Sequence, residues 1–106
     1  MRIASAGQPA PILLRSDAVG AVPIDGVPIG IDRTARYGET HERLLTDDLL
    51  LLFTDGLLKA NKLPSDAERF LMRELASGAP AAGIIEAMLS HGTCDDATAL
   101  VVRKTV

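Results

Sequence analysis

The sequence predicts an α+β fold in which short antiparallel strands are followed by two helices and a final strand. Two apolar runs, 49–53 and 99–102, carry the strand prediction. The first run shows no polar alternation, which is typical of a strand buried on both faces. Between them lies a stretch with helical spacing of its apolar residues, from 65 to 89. Helices grouped between antiparallel strands favour α+β over a doubly wound sheet.

The first part of the chain predicts strands joined by turns. A hairpin with a loose connection is expected, consisting of a strand, a turn and a return strand at 11–15, 16–20 and 21–24. Asp25–Gly26 is a strong turn dipeptide. Residues 36–44 are polar on both alternating faces, so this segment is expected to be solvated or at a sheet edge. Thr46–Asp48 makes the turn into the strand at 49–53.

The second part predicts two helices. Ser65 and Glu68 fit a capping box, in which the serine oxygen accepts a backbone hydrogen bond and the glutamate reaches back. Gly78 suits the left-handed end of the first helix, and Pro80 suits the first turn of the second. The expected buried faces are apolar stripes at helical spacing, namely Ala67, Phe70, Leu71 and Leu75, then Ile84, Ile85, Met88 and Leu89.

Composition excludes several classes of protein. The 106 residues make one domain or less, with 47% hydrophobic and 24% charged residues, as in a globular protein. A net charge of −3 and the lack of a basic stripe argue against nucleic-acid binding. The longest apolar run falls far short of the ~20 residues that span a bilayer. With no signal-peptide pattern and a single cysteine, Cys94, the chain is expected to be soluble and cytoplasmic.

Two aspartates carry most of the functional signal. Asp55 follows the apolar run at 49–53, and Asp95 stands shortly before the run at 99–102. If the two strands are antiparallel neighbours, both carboxylates lie at one edge of one sheet. Paired carboxylates without a basic motif beside them suit a hard divalent cation. Asp96 ranks below Asp95 because it faces the other side of an extended strand.

The residues around these aspartates resemble a known family. Leu51–Gly56 and Asp95–Thr98 look like the two C-terminal metal motifs of the PPM (type 2C) metal-dependent serine/threonine phosphatases, sporulation-stage-II-E branch. Residues 4–11 are similar to that branch's Ala-Gly-His-Pro segment, with Gln8 in place of the histidine. Residues 26–30 are similar to its Gly-Leu-Pro-Leu-Gly segment. The four matches occur in the family's order, so the resemblance covers nearly the whole chain.

The resemblance implies a fold, a chemistry and a partner. Residues 1–106 would be the C-terminal portion of an α-β-β-α sandwich of antiparallel sheets flanked by helices. The family hydrolyses phosphoserine and phosphothreonine with a hydroxide held by two Mg²⁺ or Mn²⁺ ions. By this resemblance Asp55 and Asp95 bind one metal, Gly56 turns the chain beside it, and Asp96 is a weaker candidate. The family's first metal motif has no counterpart before residue 4, so the chain alone is expected to be inactive.

The same resemblance leaves several alternatives open. The partner would be a phosphorylated regulatory protein, and the chain would pair with a missing N-terminal half or form a homodimer. A catalytically inactive regulatory or protein-binding module is the alternative function. A haloacid-dehalogenase-type phosphatase is set aside, because Leu57 occupies the position of that family's second aspartate. Each motif alone is weak, since an Asp-Gly after a strand is usually a turn.

The remaining polar candidates are expected to be structural. The pair Asp47–Asp48 lies at the opposite end of the strand from Asp55, so it is interpreted as a turn. His91 falls near a helix C-terminus, where a partly charged imidazole is favourable. Cys94 has no second soft ligand for zinc and is interpreted as a small buried residue. His41 is expected to be solvated.

Overall fold

The computed structural model describes residues 1–60, 64–89 and 96–105. In chain order the elements are β1 (Arg2–Ile3), β2 (Ile12–Arg15), β3 (Ala18–Ala21), β4 (Thr40–His41), β5 (Leu49–Phe53), a 3₁₀ helix (Asp55–Ala60), α1 (Pro64–Ala76), α2 (Ala81–Leu89) and β6 (Ala99–Arg103). The main sheet has the order β3-β2-β5-β6, and β1 pairs with β4 in a small second sheet. All pairings are antiparallel, and the predicted α+β class is confirmed.

Strand β5 lies inside the main sheet, as its apolar run predicts. Leu50 is 2% exposed and Leu51 is fully buried, although they point to opposite faces. On one face, β5 packs against α1, α2 and the 3₁₀ helix. The core there consists of Ile12, Leu49, Leu51, Phe53, Leu57, Ala67, Leu71, Leu75, Ile84 and Met88. The helices therefore form one layer over one face of the sheet.

The predicted hairpin has a different register. β2 and β3 are joined by a two-residue turn, so that Arg15 pairs with Ala18. The expectation of a turn over 16–20 and a strand over 21–24 is therefore wrong. The physical reason is the backbone of Ser16, which adopts a left-handed φ of 52° and reverses the chain at once. Small residues in β3 look like loop residues, which concealed the strand.

Both helices form where their apolar stripes predict. α1 begins at Pro64, a residue suited to the first helical position, so Ser65 lies inside the helix and the predicted capping box is misplaced. The side chains of Ser65 and Leu89 lie outside the described part of the structure.

The end of α1 is a Schellman motif. Gly78 has a φ of 83°, and its N–H donates to the carbonyl of Leu75 over 3.1 Å. The N–H of Ala79 donates to the carbonyl of Glu74 over 3.3 Å. These two bonds satisfy carbonyls that a helix end otherwise leaves without an intrahelical partner. The predicted glycine stop is confirmed, and α2 follows with the N–H of Ile84 donating to the carbonyl of Pro80.

The other face of the main sheet adjoins the small sheet and the segment that follows β1. A cavity of about 340 Å³ lies there, and its lining includes Ile3, Gln8, Leu52 and Leu100. Strands β1 and β4 were not predicted, although β4 falls within the polar edge segment expected at 36–44. None of the described helices is both long and apolar enough to cross a lipid bilayer.

Candidate functional site

The two aspartate motifs meet at one end of the main sheet. β5 and β6 are antiparallel neighbours, and Phe53 pairs with Ala99 at the end of the ladder. One residue farther, the N–H of Thr54 donates to the carbonyl of Thr98 over 3.0 Å. The N–H of Thr98 donates in turn to Oγ1 of Thr54 over 3.0 Å. The threonine side chain thus extends the ladder beyond the strands and holds the two segments together.

Gly56 brings the segments still closer. A Cβ atom added at Gly56 would overlap the carbonyl oxygen of Asp96 and lie 3.3 Å from the Cα of Ala97. Glycine is therefore required here because another backbone passes where a side chain would be. The sequence predicted a glycine for a tight turn beside a metal. The structure gives it a further role, which is contact between the two motifs.

The position of Asp55 is fixed by a buried residue in the helix that it begins. It opens the 3₁₀ helix, whose third residue, Leu57, is fully buried in the core. The N–H of Leu57 donates to the carbonyl of Thr54 over 3.2 Å. The aspartate itself is exposed at the sheet end. A buried leucine at position 57 also fits the rejection of the dehalogenase-type alternative, which requires a carboxylate there.

The acidic residues on the β6 side are only partly described. Asp96 is exposed and stands three residues before β6. Asp95, His91 and Cys94 lie outside the described residues, so the expected contact between the Asp55 and Asp95 carboxylates stays a prediction. Within residues 1–60, 64–89 and 96–105, no three side chains of the metal-binding types come close enough to hold an ion. The described acids at this end would suit a largely hydrated Mg²⁺ or Mn²⁺, which needs only one or two carboxylates.

The two N-terminal segments of the resemblance also lie together. A Cβ at Gly26 would overlap the carbonyl oxygen of Ser5, and Pro28 lies directly against Gly7. Ser5 is buried, and its hydroxyl donates to the carbonyl of Gln8 over 3.2 Å. This unit borders the cavity that also reaches Thr54. The described parts of the four segments that carry the resemblance therefore lie around one side of the molecule.

The opposite end of β5 holds an ion pair that sequence reasoning missed. Asp48 is only 2% exposed, and its Oδ2 accepts from Nε and a terminal nitrogen of Arg15 over 3.0 and 2.7 Å. The N–H of Leu45 donates to the same oxygen over 2.7 Å. These donors, with Arg15 first, hold the pKa of Asp48 below its usual value against the opposing effect of desolvation. The turn expected at Asp47 is confirmed by its left-handed φ of 68°.

Arg15 also connects Asp48 to other residues near this end of β5 through polar contacts. Its terminal nitrogen also donates to the carbonyl of Arg43 and lies 3.5 Å from a carboxylate oxygen of Glu42. The hydrogen bond that Arg15 donates to the Asp48 carboxylate raises the pKa of Arg15 in return. The only sequence signal was the adjacency of Asp48 to a buried strand. Its partner lies 33 residues away, and nothing local identifies it. His41 is exposed as expected, 3.5 Å from Glu39.

A comparison with protein-family models identifies the family to which this chain belongs. The family model described as stage II sporulation protein E (SpoIIE) matches residues 1–105. The chain belongs to the SpoIIE family. The resemblance found in the four motifs is thereby confirmed. No curated protein sequence matches the chain.

Solved structures agree with the SpoIIE assignment. The RsbU and RsbW domains of a Mycobacterium tuberculosis protein superpose with a TM-score of 0.80 at 26% identity, over 98% of this chain and 32% of that one. PppA, a regulatory component of the type VI secretion system of Pseudomonas aeruginosa, superposes with a TM-score of 0.76 at 26% sequence identity. The match covers 96% of this chain and 51% of PppA. The PP2C phosphatase domain and regulatory-domain fragment of SpoIIE from Bacillus subtilis superpose with a TM-score of 0.76 at 24% sequence identity. The match covers 96% of this chain and 33% of that one. The chain thus spans about a third to a half of these structures and shares their fold.

Proposed function

We propose that this chain is the C-terminal portion of a metal-dependent protein serine/threonine phosphatase domain. The observation that carries the proposal is the close contact between the Thr54–Gly56 and Asp96–Thr98 segments at one sheet end. This contact sets acidic positions from two distant parts of the sequence beside each other. Membership of the SpoIIE family supports the same chemistry.

In this proposal the metal ligands are the carboxylates of Asp55 and Asp95. Bound Mg²⁺ or Mn²⁺ would supply the Lewis acidity that polarises a phosphoryl oxygen and activates water. The chain's own part is to hold the acidic segments at a fixed separation, which the Thr54–Thr98 hydrogen bonds and the Gly56 contact achieve. Asp96 is the second choice on the β6 side, because its side chain is expected to face away.

The substrate in this proposal is a phosphorylated regulatory protein. Support comes from the similar structures, which include RsbU and RsbW domains in one protein and a regulatory component of a secretion system in another. The proposal includes weak metal binding and little turnover by residues 1–106 alone. Two carboxylates suffice for a hydrated ion but not for a site with two metals.

A phosphatase-like module that regulates by binding is the second candidate. It is supported by the lack, among residues 1–106, of a counterpart to the family's first metal motif. The two candidates differ in one measurable property, since a binding module has no need of a cation at the Asp55 end. Metal binding therefore separates them before any substrate is known.

The test is a Mn²⁺ titration of the 106-residue chain followed by calorimetry or electron paramagnetic resonance. Asp55→Asn and Asp95→Asn are expected to weaken binding at least about tenfold, since even outer partners of a metal site cost that much. Asp47→Asn is the matched control: it removes the same charge at the other end of β5, and asparagine tolerates its left-handed backbone. Equal binding by all four proteins would contradict the metal assignment.

Activity gives a second readout in a complete phosphatase domain that contains this segment. Asp55→Asn and Asp95→Asn should each lower kcat/KM for a phosphopeptide by about 100-fold or more, because several kcal/mol of charge stabilisation depend on the cation. Asp96→Asn should do less harm. If Asp96→Asn is the more damaging of the adjacent pair, the ligand assignment is shifted by one residue. Robust Mn²⁺-dependent hydrolysis by residues 1–106 alone would contradict the expected incompleteness.

A further inference from the structure

Thr54 and Thr98, which face each other just beyond the β5–β6 ladder, depart from the regular antiparallel pattern. In that pattern, every second pair of opposed residues is joined by two backbone hydrogen bonds, one in each direction. The N–H of Thr54 donates to the carbonyl of Thr98 over 3.0 Å, as the pattern requires. The N–H of Thr98, however, donates to the side-chain Oγ1 of Thr54 over 3.0 Å. The threonine hydroxyl therefore takes the place in the ladder that belongs to the carbonyl of Thr54.

The carbonyl of Thr54 serves the next element instead. It accepts from the N–H of Leu57 over 3.2 Å, a bond between residues three apart, as in a 3₁₀ helix. This bond begins the 3₁₀ helix whose first residue is Asp55. Thr54 thus ends the strand with its side chain and begins the helix with its backbone.

The hydroxyl of Thr54 differs from an ordinary helix cap. A capping threonine accepts, at its side-chain oxygen, from an N–H in the first turn of its own helix. Oγ1 of Thr54 accepts instead from a residue 44 positions later, on the facing segment. The hydroxyl therefore fastens the start of the helix to the segment that leads into β6.

The point at which the chain leaves the strand determines where the next three residues lie. A strand rises ~3.3 Å per residue and a 3₁₀ helix ~2.0 Å, so the helix keeps Leu57 close to the core, where it is fully buried. The same turn brings Gly56 against the carbonyl of Asp96. A strand that continued through Asp55 would carry these residues farther along the strand direction.

The opposite end of the same strand pair closes with backbone groups in both directions. There the N–H of Lys104 donates to the carbonyl of Asp48 over 3.3 Å, and the N–H of Asp47 donates to the carbonyl of Lys104 over 2.7 Å. Ending this ladder therefore does not in itself require a side chain. The replacement of a carbonyl by a hydroxyl occurs at the end that carries Asp55.

We propose that Thr54 is a positioning residue of the candidate metal site, because its hydroxyl replaces its own carbonyl in the ladder. The replacement frees the carbonyl to start the 3₁₀ helix at Asp55 and holds that start against the segment before β6. The positioning role rests on the proposed function, whereas the replacement itself can be tested without a metal. Thr54→Val keeps the shape of the side chain and removes the acceptor, so the N–H of Thr98 should draw the carbonyl of residue 54 back into the ladder.

Amide hydrogen exchange of the metal-free, 106-residue chain tests the replacement. Thr54→Val should make the Leu57 amide exchange about fivefold faster, since that amide loses the equivalent of one hydrogen bond. The Leu57 amide bonds to a backbone carbonyl, so a hydroxyl with a purely local role would leave its exchange rate unchanged. Thr54→Ser keeps the hydroxyl and should match the parent. An unchanged Leu57 amide in Thr54→Val would overturn the proposal.

A Mn²⁺ titration provides the second arm. Thr54→Val should weaken binding about tenfold, as the loss of a residue that orients a metal ligand does, and Thr54→Ser should bind as the parent does. Thr46→Val is the matched control, because it makes the same change at an exposed residue before the other end of β5. If Thr54→Val fails to fold, Thr54→Ala removes the same oxygen and takes its place in both arms.

Comparison with Asp55→Asn separates this inference from the proposed function. If Asp55→Asn weakens Mn²⁺ binding while a folded Thr54→Val binds as the parent does, the positioning role is overturned and the metal assignment stands. If neither variant changes Mn²⁺ binding, the metal assignment fails and the positioning role fails with it. Weaker binding in both variants, with faster exchange at Leu57 in Thr54→Val, is the result that the proposal requires.

Discussion

Strand β5 has an aspartate beyond each end, and the two have contrasting surroundings. Asp48, just before the strand, is nearly fully buried and accepts hydrogen bonds from Arg15 and Leu45. Asp55, two residues after the strand, is exposed at the start of a 3₁₀ helix. A buried carboxylate with charged and backbone donors fixes the fold, whereas an exposed one can be reached by a solute. The residue type alone does not separate these roles.

The largest expected effect concerns the buried end. Asp48→Asn should lower the free energy of unfolding at neutral pH, because Arg15 loses the charge that balances its own. Asp55→Asn should lower it less, because Asp55 is exposed whereas Asp48 is buried. Urea unfolding of both variants and the parent chain would measure the difference. An equal loss of unfolding free energy in both variants would mean that Asp48 and Asp55 contribute equally to stability, and the contrast between the two ends of β5 would be wrong.

The same variant has a predicted pH dependence. Because the folded pKa of Asp48 lies below its ordinary value of 3.8, its stabilisation is fully present above pH 3.8. It is lost as pH falls through the lower folded pKa. As the pH falls below 3.8, the free energy of unfolding of the parent chain should therefore decrease more than that of Asp48→Asn. Asp32, whose pKa is lowered by the N–H of Thr34, contributes in the same direction in both proteins.

An intermediate effect is expected at the exposed end. Gly56→Ala forces a methyl group against the carbonyl oxygen of Asp96, so the two motif segments must separate. Overpacking of this kind costs about 1–3 kcal/mol. Gly20→Ala is the control, since nothing lies within 4 Å of its added carbon. Thermal unfolding should show a loss for Gly56→Ala alone, and Mn²⁺ binding should weaken with it.

The smallest effect is expected for Thr54→Val. This change removes the oxygen that accepts from the N–H of Thr98 and keeps the shape of the side chain. A single hydrogen bond near the surface is worth about 0.5–1 kcal/mol. Chemical denaturation with precise replicates would detect it. A loss well above that range would show that the threonine pair holds more of the sheet end than its two hydrogen bonds account for.

The elements that the sequence predicted correctly are those with strong local patterns. Continuous apolar residues marked β5, and helical spacing marked α1 and α2. The strand β3 was misplaced because a single left-handed residue, Ser16, determines where the chain reverses. The short strands β1 and β4 contain too few residues to show any period. Their pairing depends on partners that are distant in the sequence, such as Arg2 and His41, which are 39 residues apart.

The candidate site was predicted in part for the same reason. Placement of Asp55 at a strand end followed from the apolar run before it, and antiparallel pairing with β6 brought Asp96 to the same sheet end. The role of Asp95 stays a prediction. The importance of Asp48 could not be predicted, since its ion pair depends on a residue in a distant strand. Local patterns fix elements, but contacts between elements decide which polar residue is structural.

The contact at Gly56 has a consequence for how homologous sequences should be interpreted. Because the backbone of Asp96 occupies the space a side chain would need, substitution of this glycine is disfavoured whether or not the protein retains catalysis. A member of the family that has lost activity should therefore keep the glycine while its neighbouring aspartates drift. Presence of the glycine diagnoses the architecture, whereas under the proposed metal assignment Asp55 and Asp95 diagnose the enzyme. A family-wide survey in which Gly56 varies as freely as Asp55 among inactive members would refute this expectation.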